Sequence, residues 1–284
     1  MAINGATELY GIMGNPVAHS LSPAMHNGAF GALGLNKVYL PFTVQDVAQA
    51  MTGLRALGVK GVSVTIPYKQ AVIPYLDTID PIAQKIGAVN TLVINNNAIH
   101  GVNTDWLGAN RALSEKIKLK GASVLLLGAG GSARAIGFGL LEAGASLTIA
   151  SRTPEKGQAL AELLDCPWLP LTKADSAKSD ILINATSMGM GDQQDLLPIA
   201  SEALVNFQVV MDIVYAPLTT RLLQAAEQAG CQTINGLAML LYQGAAQFEL
   251  WTGQQAPVEV MRQSLAHQLR SRAGLTAAKQ PMLD

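Results

Sequence analysis

The chain is short of charge. Only 14% of its 284 residues are Asp, Glu, Lys or Arg, against about 25% in a typical soluble domain. Neither sign is in surplus: 19 Lys and Arg stand against 20 Asp and Glu, a formal charge of −1. Without a basic excess there is little to neutralise a run of phosphates, which argues against a nucleic-acid partner. The same lack leaves no polybasic stripe for an anionic membrane surface. There are two cysteines, Cys166 and Cys231, in no CxxC spacing. They suggest no disulfide framework, and reduced thiols acting as small buried hydrophobes are expected. Long apolar runs are missing as well. A spanning helix needs about 20 mostly apolar residues, and the richest region, 124–150, is broken by glycines, Arg134 and Glu142. Met1-Ala2-Ile3-Asn4-Gly5 has neither the charged nor the apolar segment of a secretory signal. These absences point to a cytoplasmic protein without a membrane partner, and no metal site is expected.

What is present excludes a disordered chain: 49% of the residues are hydrophobic, with 27 Gly and 13 Pro to punctuate turns. The first third reads as strand–helix alternation. Residues 9–13 form an apolar run before Gly14-Asn15-Pro16, and Ser22-Pro23 opens a helix closed by Gly34, with Ser22 as its cap. A strand at 38–43, a helix at 46–57 and a strand at 61–66 follow, then a hairpin over 91–103 turning at Asn96-Asn97. Asp105 is read as capping a helix that runs to about Ile117. From Ser123 a second pattern begins. Residues 124–127 are apolar throughout, as in a strand buried on both faces. Further strands are expected at 147–150, 181–184 and 209–213, with helices to Ala143, at 154–164 and at 219–229. Two closing helices cover 236–251 and 257–270, and the last dozen residues show no periodicity. Alternation twice over implies two α/β units meeting near Thr104 and Asp105.

The segment Gly128-Ala129-Gly130-Gly131-Ser132-Ala133 lies between a buried strand and a helix, the context a dinucleotide fingerprint requires. The first glycine makes the tight turn and the second lets backbone approach a pyrophosphate. Ala133 is small enough for helix–strand packing. The helix start offers free N–H groups to phosphates. An NAD site usually carries an acid about 20 residues on, against the ribose. Here the next strand ends Ser151-Arg152-Thr153, with no acid at the strand end and Lys156 beyond. A guanidinium can clamp a 2′-phosphate, so the sequence favours NADP.

Compact polar groups gather at strand ends and helix starts of the first unit: Ser20 and Ser22, Thr65 and Lys69, Asn90, and Asp105. Ligands of open α/β sheets sit outside the carboxyl ends of strands. Two serines beside a helix start could bind a carboxylate. Taken singly, each has an ordinary structural reading. Ser22 and Asp105 can be caps, Lys69 a surface lysine and Asn90 a turn residue, while His19 and His26 read as structural.

Strung together, these segments resemble the shikimate dehydrogenase family. The match runs in order through Gly14-Asn15-Pro16, His19-Ser20-Leu21-Ser22-Pro23, Val64-Thr65-Ile66-Pro67-Tyr68-Lys69, Gly87-Ala88-Val89-Asn90-Thr91 and Gly101-Val102-Asn103-Thr104-Asp105. It continues through Gly128 to Ala135, Asn184-Ala185-Thr186-Ser187-Met188-Gly189-Met190, Asp212-Ile213-Val214-Tyr215-Ala216-Pro217 and the stretch from Gly236 through Gln243-Gly244-Ala245. The resemblance implies two α/β domains with a cleft between them. Residues 1–104 with 239–284 would form a substrate domain with a mainly parallel sheet, and 105–238 a Rossmann-like NADP domain. It implies NADPH-dependent reduction of 3-dehydroshikimate to shikimate in aromatic amino-acid biosynthesis, with Lys69 and Asp105 at the reacting oxygen. Ser20 and Ser22 would hold the substrate carboxylate, and Thr65, Lys69, Asn90, Asp105, Tyr215 and Gln243 the rest of the molecule. Gly128 to Ala133, Ser151, Arg152, Thr153 and Lys156 would hold the cofactor, with Thr186, Ile213, Gly236 and Met239 along the nicotinamide. Ser151 stands where the family more usually has Asn.

Rival readings are a quinate/shikimate or aminoshikimate-type paralogue and, from another class, a non-catalytic NADP(H) sensor on the same fold. The folate-linked methylene dehydrogenases fit less well, because the first unit holds no Tyr-x-x-x-Lys. A homodimer is left open.

Overall fold

The computed structural model describes residues 3–272. The expectation for the last dozen residues lies outside them. Among the described residues, two six-stranded sheets form the framework. The first contains β1 (Glu8–Gly14), β2 (Lys37–Thr43), β3 (Gly61–Val64), β4 (Thr78–Ile79), β5 (Thr91–Asn95) and β6 (Ala98–Val102), in the spatial order β2-β1-β3-β5-β6-β4. β1 pairs parallel with β2 and β3, and β4 parallel with β6. Only β5 runs against its neighbours, so the sheet is mainly parallel. The second contains β7 (Ser123–Leu127), β8 (Ser146–Ser151), β9 (Trp168–Pro170), β10 (Ile181–Asn184), β11 (Val209–Asp212) and β12 (Gln232–Ile234), in the order β12-β11-β10-β7-β8-β9. Every pairing in it is parallel, as in a doubly wound dinucleotide fold.

The helices are α1 (Ser22–Ala32), α2 (Val47–Ala56), α3 (Pro81–Ile86), α4 (Asp105–Ser114), α5 (Gly131–Glu142), α6 (Pro154–Leu163), α7 (Arg221–Gln228), α8 (Gly236–Thr252) and α9 (Val258–Arg272). Their starts follow capping chemistry. Asp46 accepts from Gln49 N, Thr220 from Leu223 N and Asn235 from Leu237 N. The short helix α3 is an addition to the expected elements, although Asp80-Pro81 marks it: Asp80 accepts from Ile82 N and Ala83 N, and Gly87 closes it in the left-handed region. The two-residue β4 and three-residue β9 and β12 are additions too, being too short to show a period.

Two helix starts differ from expectation. Leu21, not Ser22, occupies the cap of α1, and Ser22 is its first helical residue. Thr104, not Asp105, occupies the cap of α4, and that helix stops at Ser114 rather than Ile117. In both cases the polar side chain turns to a tertiary partner rather than to its own backbone, Ser22 to Tyr39 and Asp105 to Lys69 and Asn90.

The two sheets share a core. One continuous apolar cluster takes Tyr10 and Ile12 from β1, Ala109 and Leu113 from α4, Phe248 from α8, Ile136 from α5 and Val124 from β7. Helix α4 is the hinge of this packing, touching α8 on one side and α5 on the other. Gly108 makes the α4–α8 approach close enough. A Cβ there would stand 2.7 Å from the Met239 carbonyl oxygen and 2.8 Å from Gln243 Cβ. Gly108→Ala is expected to destabilise the protein by about 1–3 kcal/mol through overpacking against backbone. Gly31→Ala, at a helical position in α1 with open space around it, should be neutral or gain up to about 1 kcal/mol from helix propensity. Urea midpoints of the two variants check this; equal midpoints would contradict it.

Candidate active site

Strand register places the polar segments on common edges. In the first sheet Met13 lies beside Val64, and Thr91 beside both Ser63 and Val102. Thr65, Asn90 and the residues 103–105 therefore leave the sheet together. Thr65 sits against Gly14, where an added Cβ would be 2.4 Å from its Cγ2. In the second sheet Leu127 pairs with Ala150 and Asn184, and Asn184 with Asp212. Gly128, Ser151, Thr186 and Ile213 thus emerge along one edge.

The centre of the site is an ion pair. Lys69 Nζ donates to Asp105 Oδ2 at 2.6 Å and to Ser132 Oγ at 3.1 Å. The Lys69 and Asp105 side chains are only 13% and 5% exposed. Asp105 stands in the first turn of α4, where the helix dipole favours an anion. Asn90 supports it, with Nδ2 donating to Asp105 Oδ1 at 2.8 Å, to Thr104 Oγ1 at 3.0 Å and to Gln243 Oε1 at 3.3 Å. The Asn90 carboxamide can face only one way. Its Oδ1 accepts from the Thr104 backbone N–H at 2.8 Å, a group that only donates. Lys69, Asn90, Asp105 and Gln243 therefore form one connected cluster.

Beside it lies a second polar group that the sequence pattern does not single out. Gln247, buried in α8, donates through Nε2 to Asn90 O at 3.1 Å and Thr91 Oγ1 at 2.9 Å. Its Oε1 accepts from Ser63 Oγ at 2.7 Å, and Tyr39 OH donates to Ser63 Oγ at 2.6 Å. Burial pushes the Tyr39 phenol above its ordinary value, opposed by the Ser63 and Ser22 hydroxyls, with Tyr215 adding to the rise. Ser22 and Tyr215 thus belong to the same neighbourhood as Tyr39. Ser20 Oγ accepts from Ser22 N at 3.2 Å across the α1 start. His26 is buried and stacked on Tyr39 at 4.5 Å. Burial pushes it down to about 3, against a smaller upward pull from Gln247, so its imidazole is neutral. The one available signal is a polar residue inside an apolar pattern, such as Ser63 between Val62 and Val64.

The glycine turn fits a dinucleotide. Gly128 has φ +112°, and a Cβ there would stand 2.9 Å from the Ala185 carbonyl oxygen, so only glycine serves. Gly130, open to solvent, is the cap of α5 and has no side-chain cap, which leaves the first N–H groups of Gly131, Ser132 and Ala133 for an anion. Ala129 is partly buried beside the turn, and Ala133 packs fully inside. At the end of β8, Arg152, Thr153 and Lys156 are exposed, with Glu155 the one acid among them, in the first turn of α6; the Arg152 guanidinium suits a 2′-phosphate. Ser151 is the exception: its hydroxyl is buried, donating to Thr153 O and accepting from Trp168 Nε1. Its side chain faces the interior, leaving only backbone for a ligand. Gly236 touches Ile213, since a Cβ on it would be 2.3 Å from the Ile213 carbonyl oxygen, and Met239 follows one turn later. Thr186 lies across that edge, donating to Asn184 Oδ1 at 2.7 Å.

Under these loops sits Asp212, fully buried. It accepts from Asn184 Nδ2 at 3.0 Å, Val214 N at 3.0 Å and Thr220 Oγ1 at 2.7 Å. These bonds join β10, β11 and α7 beneath Thr186 and Ile213. Both thiols stay free: Cys231 is buried and Cys166 only partly so, and burial raises each. Among the described residues no helix is long and apolar enough to cross a membrane.

The chain is similar to known proteins along nearly its whole length. Three family profiles match it: "Shikimate dehydrogenase substrate binding domain" over residues 12–92, "Shikimate / quinate 5-dehydrogenase" over 109–191 and "Shikimate 5'-dehydrogenase C-terminal domain" over 236–266. A shikimate dehydrogenase (NADP(+)) of Moorella thermoacetica is 44% identical, over 97% of this chain and 98% of that one. A crystal structure of a shikimate dehydrogenase in complex with NADP+ superposes with a TM-score of 0.89 at 42% identity, covering 94% and 98%. Another, from Thermus thermophilus in complex with NADP(H) and shikimate, gives 0.84 at 38% identity, covering 92% and 99%.

Desolvation pushes the Asp212 carboxyl up to about 6, against the pull of its three hydrogen bonds. Between about pH 4 and pH 6 the folded chain keeps a proton that the unfolded chain has released. Stability therefore falls as pH rises through that window and stays low above it. Asp212→Asn should be more stable than the parent at pH 8, by on the order of 2 kcal/mol, with the difference vanishing near pH 4. Chemical denaturation at both pH values checks this; a parent steadier at pH 8 would contradict it.

Proposed function

This chain belongs to the shikimate dehydrogenase family, and from that premise we infer how its residues divide the work of an NADP-dependent oxidoreductase acting on a CH–OH group. The reaction is the reversible reduction of 3-dehydroshikimate to shikimate. NADPH, when bound, supplies the hydride. Residues 1–104 and those from 239 onward serve the substrate, and 105–238 the cofactor. The observation that supports this most is the Lys69–Asp105 pair at 2.6 Å, mostly closed to solvent and within 3.1 Å of the glycine turn.

Lys69 donates the proton that the carbonyl oxygen needs as hydride arrives, and takes it back in the reverse direction. An ammonium only donates, which suits giving a proton to that oxygen. Asp105 orients that ammonium and keeps it beside the reacting oxygen. Asn90 holds Asp105 in turn, and with Thr65 and Gln243 it binds the ring oxygens. Ser20 and Ser22, at the start of α1, hold the carboxylate with their hydroxyls, assisted by the helix dipole, and Tyr215 closes on the same end. Arg152 and Lys156 hold the 2′-phosphate, while backbone N–H groups of residues 131–133 hold the pyrophosphate. Ile213, Gly236, Met239 and Thr186 shape the place where the ring lies.

Initial rates with shikimate, quinate and an aminated analogue, each with NADP and with NAD, test the reading. The highest kcat/KM is expected for shikimate with NADP. Lys69→Ala should lower kcat by about 100-fold or more, the scale of a lost acid–base group, with a smaller effect on KM. Near-normal turnover in that variant, or NADPH binding without any oxidation of shikimate, would contradict it.

A further inference from the structure

We propose that Ser132 is a positioning residue for Lys69: its hydroxyl, carried on the glycine turn, fixes the direction in which the ammonium delivers its proton. The proposal rests on the acid–base reading of Lys69 given above. By its place in the sequence Ser132 belongs with the cofactor groups. Its Oγ, however, stands 3.1 Å from Lys69 Nζ. An ammonium only donates, so the serine hydroxyl accepts this bond, and its own O–H remains available to another acceptor.

Two fixed partners do what one cannot. A lysine head is a compact charge on a flexible stem with three donors. Held by Asp105 Oδ2 alone, the ammonium can turn about that bond. Held by Asp105 at 2.6 Å and Ser132 at 3.1 Å together, it has one tetrahedral direction left for its third N–H, and that direction is set. The stem is guided as well. At Gly131 an added Cβ would stand 3.2 Å from Lys69 Cβ and 3.3 Å from Cδ, so the turn lies along the lysine. Lys69 follows β3 of the first sheet and Ser132 follows β7 of the second. The proton donor is therefore tied directly to the segment that would wrap the cofactor phosphates.

The test is Ser132→Ala in the full chain. Expected are a fall in kcat of about tenfold, the scale of one hydrogen bond to a charged group, and a larger solvent deuterium isotope effect on kcat as proton delivery becomes limiting. The dissociation constant of NADPH, measured by its fluorescence without substrate, should change less than about twofold, because the backbone N–H groups of the turn are intact. Ser132→Thr, which keeps the hydroxyl, should recover most of kcat. On a Lys69→Ala background, Ser132→Ala should have no further effect. Unchanged kcat and isotope effect with weakened NADPH binding would overturn the proposal, leaving Ser132 a cofactor contact only. Losses that multiply on the Lys69→Ala background would also overturn it. Wild-type turnover in Lys69→Ala alone is the separate failure of the acid–base reading, and removes this proposal with it.

Discussion

Lys69 and Asp105 form an ion pair that water barely reaches, and the surrounding architecture answers to that fact. A buried pair of charges is costly unless further hydrogen bonds satisfy what the partners leave over. Here they do. Asn90 donates to the second carboxylate oxygen, and Ser132 accepts from the ammonium. Each supporting group comes from a different element: Asn90 precedes β5, Asp105 opens α4, and Ser132 opens α5 on the other sheet. The shared apolar core through α4 and α8 holds these elements at fixed spacing. Gly108 lets α8 approach closely enough for Gln243 to meet Asn90. On the reading proposed above, this packing is the condition for keeping one proton donor oriented.

The second unit shows the reverse side of the same physics. Asp212 is buried among three hydrogen-bond donors, none of them cationic. Its ionised form is disfavoured, which is a cost to stability at neutral pH. In return it ties the loops carrying Thr186 and Ile213 to the ends of β10 and β11. Strain or unfavourable burial near a ligand-binding edge is a familiar consequence of holding a site in one arrangement.

Much of this is legible in the sequence, for definite reasons. Buried parallel strands appear as largely apolar runs, and their ends announce themselves when the run stops at a glycine, as at Leu127-Gly128, or at a polar residue, as at Val64-Thr65. The glycine turn and Arg152 stand out in the sequence because the chemistry proposed for them depends on local order along the chain. Helix starts are less legible. Ser22 and Asp105 look like caps by residue type, yet their neighbours Leu21 and Thr104 hold the cap positions. Tertiary partners, invisible in the sequence, draw the polar side chains away. The Tyr39–Ser63–Gln247 network is hidden for the same reason, since its members lie far apart in sequence and each sits inside an apolar pattern. Ser132 reads as a cofactor residue because sequence order shows its loop but not the lysine of the other sheet beside it.

That Lys69 and Asp105 work as one unit at the reacting oxygen is tested most directly by a double-mutant cycle on single-turnover hydride transfer, followed as NADPH absorbance with cofactor pre-bound. Groups that act as a unit lose activity non-additively. Lys69→Ala with Asp105→Asn is then expected to be scarcely slower than Lys69→Ala alone. Losses that multiply in the double variant would show two independent roles and contradict it.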